Sequence, residues 1–298
     1  MTDVNERPLR SLLFAPGDHA RRLERVADFG ADAIVLDLED AVADARKTIA
    51  RTMVREALPT YPEDLFVIVR VNSTGTGRTQ EDVEAVLCAD ADALMLPKIE
   101  DPSEWAMIDG WMAAAEQAQG LPVGSVRLIG LVETAKAMIN LDAICAAAPE
   151  RVISIGFGAG DFTVDLGIDL TSDGREILYA RSRIIIAARA AGLAAPFDGP
   201  FLDLSDMDAL VADTKLSRQL GFQGRVIVYP PQVEPAHRAY SDLTDAELDL
   251  VTKVVDQFEA ALENGLASIQ VEGRFVDYPI YYRAKKKLRN YNALRGIA

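Results

Sequence analysis

The sequence predicts a (β/α)8 barrel with a C-terminal helical extension, on three observations. Eight short runs rich in Val, Ile and Leu alternate with longer helical stretches between Ser11 and Val228, the repeat of that fold at close to its usual length. The ends of these runs carry acids, an Arg and a Lys, at the positions from which barrel enzymes draw their chemistry. The glycines of Gly156-Phe157-Gly158-Ala159-Gly160 lie mid-chain and do not spell G-x-G-x-x-G. That argues against the competing doubly wound dinucleotide sheet, and no Walker-type loop occurs.

Each element has its own reason. Ser11-Leu12-Leu13-Phe14 is a first strand, closed by the turn Ala15-Pro16-Gly17-Asp18. Residues 19–29 alternate Arg with Leu and Val at helical spacing. Ala33-Ile34-Val35-Leu36-Asp37 is a second strand, and residues 41–58 a helix stopped by Pro59 and Pro62. Leu65-Phe66-Val67-Ile68-Val69-Arg70 and Ala93-Leu94-Met95-Leu96 are the third and fourth strands, with helices over 81–88 and 101–117. Val126-Arg127-Leu128-Ile129-Gly130-Leu131-Val132 and Arg151-Val152-Ile153-Ser154-Ile155-Gly156 are the fifth and sixth, with a helix over 134–148 between them. The glycine stretch up to Asp161 reads as a loop. A helix over 175–191, a weak seventh strand Leu193-Ala194-Ala195-Pro196, a helix over 207–220 and the strand Arg225-Val226-Ile227-Val228 complete the repeat. Beyond Tyr240 the character changes. Thr244 and Glu247 form a capping box for a helix over 244–264, residues 268–277 are extended, and residues 280–294 are helical. Residues 1–240 are therefore read as the barrel and residues 241–298 as an appendage.

Composition limits the partners. The 298 residues are 49% hydrophobic and 26% charged, an ordinary globular profile, with a formal net charge of −15. Nucleic acid and anionic membrane are disfavoured as partners by that charge. A small anionic substrate is not, because a local Arg or metal can dominate a pocket. Residues 1–6 are polar and acidic, without a secretory pattern, and no apolar run approaches the ~20 residues of a membrane helix. Two cysteines, Cys88 and Cys145, lie far apart without metal-ligand spacing, so a reducing cytoplasm is expected. Two histidines, His19 and His237, are too few for a multi-His zinc site.

The strand ends supply the candidates Asp37, Glu39, Asp40, Arg70, Asn72, Lys98, Glu133 and Asp161. Glu133 and Asp161 follow neighbouring strands, and two hard oxygen ligands there suit Mg²⁺, which takes one or two carboxylates and keeps waters for substrate. The alternative is that each acid only caps the next helix. Arg70 could hold a carboxylate bidentately or form a structural ion pair with Asp37 or Glu39. Gly158 and Gly160 could let backbone N–H groups approach an oxyanion, or simply make a tight turn. Lys98 is expected to be solvated or ion-paired in preference to forming a Schiff base. His19 could touch an anionic ligand or be a surface residue. Lys285-Lys286-Lys287 reads as a solvated helix face, and His237 is unassigned.

These stretches together resemble the citrate lyase β-subunit-like and malyl-CoA lyase branch of the HpcH/HpaI aldolase superfamily. The resemblance rests on Arg10-Ser11-Leu12-Leu13-Phe14-Ala15-Pro16-Gly17, Leu36-Asp37-Leu38-Glu39-Asp40, Arg70-Val71-Asn72, Pro97-Lys98 and Glu133-Thr134-Ala135. It continues through Gly156-Phe157-Gly158-Ala159-Gly160-Asp161-Phe162, Ala180-Arg181-Ser182, Ala188-Arg189-Ala190-Ala191-Gly192 and Gly273-Arg274-Phe275-Val276-Asp277-Tyr278-Pro279, in order over nearly the whole chain. One departure is Val228-Tyr229-Pro230-Pro231-Gln232, where many relatives have Ile-His-Pro.

The resemblance implies a Mg²⁺-binding barrel that assembles as a homotrimer or hexamer and cleaves a 3-hydroxyacyl-CoA of the malyl-, citramalyl- or citryl-CoA type to acetyl-CoA and a 2-oxo acid. It implies Glu133 and Asp161 as metal ligands, Arg70, Gly160 and Asp161 around the substrate, and Asp277 as an acid-base group delivered by a neighbouring subunit's extension. The alternatives are a citrate lyase β subunit acting on an acyl-carrier thioester, a metal-dependent aldolase on a non-CoA hydroxy-oxo acid, and a non-catalytic barrel binding a CoA ester.

Overall fold

The computed structural model describes residues 9–241 and 243–295, so the polar stretch 1–6 lies outside the described residues. The chain divides into two compact units, Met1–Tyr240 and Ser241–Ala298.

In the first unit, eight parallel strands close into a barrel in sequence order. They are β1 (Ser11–Pro16), β2 (Ala33–Asp37), β3 (Phe66–Arg70), β4 (Ala93–Leu96), β5 (Arg127–Val132), β6 (Val152–Phe157), β7 (Phe197–Asp198) and β8 (Gly224–Ile227). The pairs Ser11↔Arg225 and Leu12↔Val226 close the ring between β1 and β8. Side chains pointing inward, among them Leu12, Val35, Ile68, Met95, Ile129 and Phe197, pack into a core with no free lumen. A second layer lies between the strands and the helices α1 (Ala20–Arg25), α2 (Lys47–Ala57), α3 (Thr79–Val86), α4 (Ser103–Ala118), α5 (Ala135–Ala146), α6 (Ala159–Leu166), α7 (Leu178–Ala190), α8 (Met207–Leu220) and α9 (Val233–Ser241). Trp105 of α4 lies flat against β5 because residue 130 is Gly. A Cβ there would come within 2.5 Å of the indole ring, whose N–H donates to the Ile144 carbonyl at 2.9 Å.

Three sequence expectations need correction. The seventh strand is Phe197–Asp198, not 193–196. The expected segment does run in the sheet, since Ala194 N–H donates to Ile153 and Pro196 accepts from Gln223. Pro196, however, has no N–H to give, and the regular ladder begins only after it. The stretch ending at Asp161 is not a loop: α6 starts at Ala159, and Asp161 sits in its first turn. Helix α9 was not anticipated; Pro230 and Pro231 open a 3-10 turn that leads into it.

The second unit contains α10 (Asp245–Glu263), the antiparallel hairpin β9 (Ser268–Val271) with β10 (Arg274–Asp277), and α11 (Tyr278–Arg295). The Thr244–Glu247 capping box forms in both directions. The hairpin turns on Glu272 and Gly273, both left-handed at φ 47° and 79°, the two-residue geometry that matches strand twist. Phe258 is fully buried, stacked on Tyr281 at 4.9 Å and edge-on to Tyr278 at 5.4 Å. Lys285 pairs with Glu259 at 2.7 Å, while Lys286 and Lys287 are exposed as expected. Among the described residues, no helix is long and apolar enough to cross a membrane.

Candidate active site

Parallel strands deliver their last residues to one rim, and here β2 to β6 deliver charge. Asp37 ends β2 and Arg70 ends β3, directly paired in register. The Nε and Nη2 of Arg70 each donate to a different Asp37 oxygen at 2.7 Å. The other side of Asp37 accepts the backbone N–H groups of Glu39 and Ala41. Burial works against the Asp37 charge, but Arg70 outweighs it and holds the carboxyl below its usual range. Arg70 also lies 4.9 Å over the Phe14 ring. Its Nη1 is 3.0 Å from Glu39 Oε2, an ion contact without hydrogen-bond geometry that leaves this buried oxygen with no hydrogen-bond donor. The structural pairing expected as the alternative for Arg70 is therefore present. The Nε/Nη2 edge of its guanidinium is taken by Asp37, and Nη1 lies against Glu39 without a hydrogen bond.

Lys98, just past β4, connects the next three elements. Its Nζ donates to Glu39 Oε1 at 2.8 Å and Asp40 Oδ2 at 2.7 Å, and lies 4.0 Å from Asp161 Oδ2. Burial opposes its charge, but the bonds to Asp40 and Glu39 prevail and raise its pKa above that of an ordinary lysine. An ammonium held this way is not a free amine nucleophile, in line with the expected ion pair. Its backbone N–H donates to Glu133 Oε2 at 2.9 Å.

Glu133 follows β5 and is 2% exposed. Burial first, then the nearby Glu39 and Asp161 charges, push its carboxyl up to about 8, against the opposing pull of Arg70 and Lys98. The chain must approach this carboxylate closely: a Cβ on residue 158 would sit 2.1 Å from Glu133 Oε1, so only Gly fits. Gly158 is not an oxyanion donor, because its N–H is bonded to the Val132 carbonyl. Gly160 has ample room and lies in the first turn of α6, where N–H groups lack helical partners. Asp161, on the same turn, is partly exposed.

Asn72, Lys47 and Asp82 support the rim. Asn72 is held by Asp82 and donates to the Leu38 carbonyl at 3.0 Å. Lys47 donates to the Leu38 and Glu39 carbonyls at 2.8 and 2.6 Å. Sequence reading missed Lys47 and Asp82, because neither lies at a strand end and no local pattern marks them. His19 precedes α1, exposed and without a capping bond. His237 bonds Ser11 Oγ at 2.7 Å at the opposite end of the barrel. Tyr229 follows β8 and is 38% exposed. Asp277 belongs to the separate C-terminal unit, where it ends β10 and accepts the Ile280 N–H at 3.4 Å, as a helix cap would.

The fit to a divalent cation can be judged from these residues. Asp37, Glu39, Asp40, Glu133 and Asp161 meet Arg70, Lys98 and Lys47 at this rim. With all ionised, two negative charges remain unbalanced. Among the described residues no group of three or more His, Cys, Asp or Glu gathers as a metal cage. A pair of carboxylates, one buried and costly to ionise alone, suits a hard cation that keeps most of its waters.

The chain is similar to known proteins over nearly its whole length. The chain is 36% identical over 290 residues to the citrate lyase subunit beta of Leuconostoc mesenteroides subsp. cremoris, covering 97% of this chain and 95% of that one. It is 32% identical to a (3S)-malyl-CoA thioesterase of Cereibacter sphaeroides, covering 97% of both. The crystal structure of protein CitE from Mycobacterium tuberculosis, in complex with magnesium, acetoacetate and coenzyme A, superposes with a TM-score of 0.79 at 29% identity, over 96% of this chain and 99% of that one. Residues 10–230, from the arginine before β1 to the turn after β8, match the profile described as HpcH/HpaI aldolase/citrate lyase, and it is to this family that the chain belongs.

Proposed function

We propose that this protein is a Mg²⁺-dependent acyl-CoA lyase, cleaving a 3-hydroxyacyl-CoA reversibly to acetyl-CoA and a 2-oxo acid. One observation carries the reading: a buried carboxyl, Glu133, pushed up to about 8 by burial and by the neighbouring Glu39 and Asp161 charges, on a rim where acids outnumber cations. Glu133 and Asp161 would hold the cation, which when bound supplies a Lewis acid for the C–O group of the oxo acid. Arg70 offers the substrate carboxylate the N–H groups that Asp37 leaves unused and adds positive charge where oxygen becomes negative. The first-turn N–H groups of α6, at Gly160 and Asp161, orient the same end of the substrate. Asp277 gives a proton to the acetyl carbon as the C–C bond breaks, while the hydroxyl releases its own proton to solvent in becoming the oxo group, and both transfers run backwards in the reverse direction.

Cleavage assays on malyl-CoA, citramalyl-CoA and citryl-CoA, with and without EDTA, test this. Turnover of at least one thioester, abolished by chelator and restored by Mg²⁺, is expected; full activity in chelator would exclude the reading. The 36% identity to citrate lyase beta subunits favours a second one, in which the thioester is borne by an acyl-carrier protein. Acyl-carrier and CoA thioesters assayed side by side separate the two.

The proposed assembly is a homotrimer or hexamer in which Asp277 reaches a neighbour's barrel. An exposed apolar face supports association: Ile139 of α5, Val164 and Leu166 of α6, and Tyr179 and Ile186 of α7. Inactive Asp277→Ala and Glu133→Gln proteins should regain activity when co-refolded; verified mixed oligomers that stay inactive would refute sharing. The cytoplasm is the proposed location, in keeping with two free, buried cysteines.

A further inference from the structure

Lys98 has a left-handed backbone, with φ 51°, one of two such non-glycine residues among those described. The other, Glu272, is explained by its hairpin turn. Lys98 has no turn type to explain it, and such a conformation persists only where surrounding contacts impose it. Those contacts divide in two. The amide N–H goes to Glu133. The ammonium goes to Glu39 and Asp40 and lies 4.0 Å from Asp161 Oδ2. Glu39 in turn touches Arg70 through its second oxygen, the one left without a hydrogen bond.

We propose that Lys98 is a positioning residue that partitions the rim: it holds Glu39 through Oε1, so that Glu39 meets Arg70 only through an Oε2 without a hydrogen bond and leaves Arg70 donors for an anionic substrate, while its charge beside Asp161 limits how tightly a cation binds at Glu133 and Asp161. This rests on the Mg²⁺-lyase reading and adds a residue to it. Without the ammonium, the local charge becomes one unit more negative beside Asp161, so a divalent cation binds more tightly. At the same time Glu39 turns its whole carboxylate to Arg70, so a 2-oxo acid binds more weakly. The two affinities move in opposite directions, which a general disturbance of the rim does not produce.

The test uses Mn²⁺, followed by electron paramagnetic resonance, and pyruvate, followed by calorimetry at saturating Mn²⁺, on full-length protein. For Lys98→Met the Mn²⁺ Kd should fall about 3- to 10-fold and the pyruvate Kd rise about 10-fold. Lys98→Arg, keeping the charge, should restore pyruvate binding to within about 3-fold of wild type. Lys98→Gln gives the same readout should the Met variant fold poorly, and thermal melting verifies the fold of each. Both affinities falling together, or neither moving, in a variant that melts like wild type would overturn the partition while leaving the lyase reading intact. A wild-type protein that binds no Mn²⁺ would overturn that reading and the partition with it.

Discussion

At the two ends of the barrel, buried arginines meet carboxylates in opposite ways. At the N-terminal end two arginines are matched by carboxylates. Arg10 grips Asp32 with two side-chain bonds of 2.7 Å and its own backbone N–H at 2.8 Å. Arg151, 3% exposed on its side chain, holds both Glu116 oxygens at 2.9 Å, and Glu116 also accepts from Gly124 and Val126. At the C-terminal end acids outnumber cations, Glu39 keeps an oxygen without a hydrogen-bond donor, Glu133 is pushed up to about 8, and Lys98 is held left-handed. Both ends pair arginines with carboxylates. The difference teaches that one end is satisfied within the chain and the other is completed by what it binds.

The largest expected effect tests the matched end. Arg151→Met strands Glu116 in the interior and should lower unfolding free energy by about 3–5 kcal/mol. Activity per folded molecule should hold near wild type. A stability loss under about 1 kcal/mol in urea titrations would mean that this end is not the stabilising one. Next, Glu133→Gln should cut turnover by about 100- to 1000-fold, while its melting temperature in chelator at neutral pH stays close to wild type, since a carboxyl pushed up to about 8 is already mostly uncharged there. A variant that melts well below wild type would make Glu133 a structural residue and erase the contrast. Third, Arg70→Lys keeps charge but loses the planar fork that faces Asp37 and the substrate together, so pyruvate affinity should fall about 10-fold. Unchanged affinity would reduce Arg70 to the partner of Asp37.

The smallest effect sharpens the comparison with pH. Burial first, then the Arg10 charge, against the pull of Asp32 and Glu234, lowers the pKa of His237 from its ordinary 6.5. The unfolded chain therefore takes up this proton more readily. The contribution of His237 is full above pH 6.5 and is lost as pH falls through its lowered folded value. The stability margin of wild type over His237→Asn should shrink between pH 7.5 and 5, by about 1 kcal/mol or less. A margin that is constant or grows on acidification would show that the imidazole is charged in the fold.

Much of this was legible in the sequence because strand runs are local. Short Val- and Ile-rich segments bounded by turns located β1 to β6 and β8 nearly to the residue, and their last residues named most of the rim. β7 was placed one step early because Pro196 hides the ladder behind an apolar stretch that lacks a donor. Helix α6 was hidden because Gly158 and Gly160 suggest a loop, although one of them is there to make room for Glu133. What stayed out of sight is relational. That Arg70 spends one edge on Asp37 and that left-handed Lys98 serves three acids depend on partners tens of residues away, and Lys47 props the β2 loop from eight and nine residues on. Periodicity carries no information about such distances. Gly273 before Arg274 signalled the hairpin turn, yet the sequence read only as extended.

Gly158 has a consequence for anyone who would re-engineer this barrel. A substrate-switching library would naturally randomise the loops after β5 and β6, treating acids as fixed and glycines as free. Here the tolerance runs the other way at one position: any side chain on residue 158 would occupy the space of the Glu133 carboxylate, 2.1 Å away. Such clones would still carry both acids and would read as intact by sequence, yet the pair would no longer converge. Diversity is better spent on Leu202 and Tyr229, which are 51% and 38% exposed and whose side chains can change without evicting a neighbour from the rim.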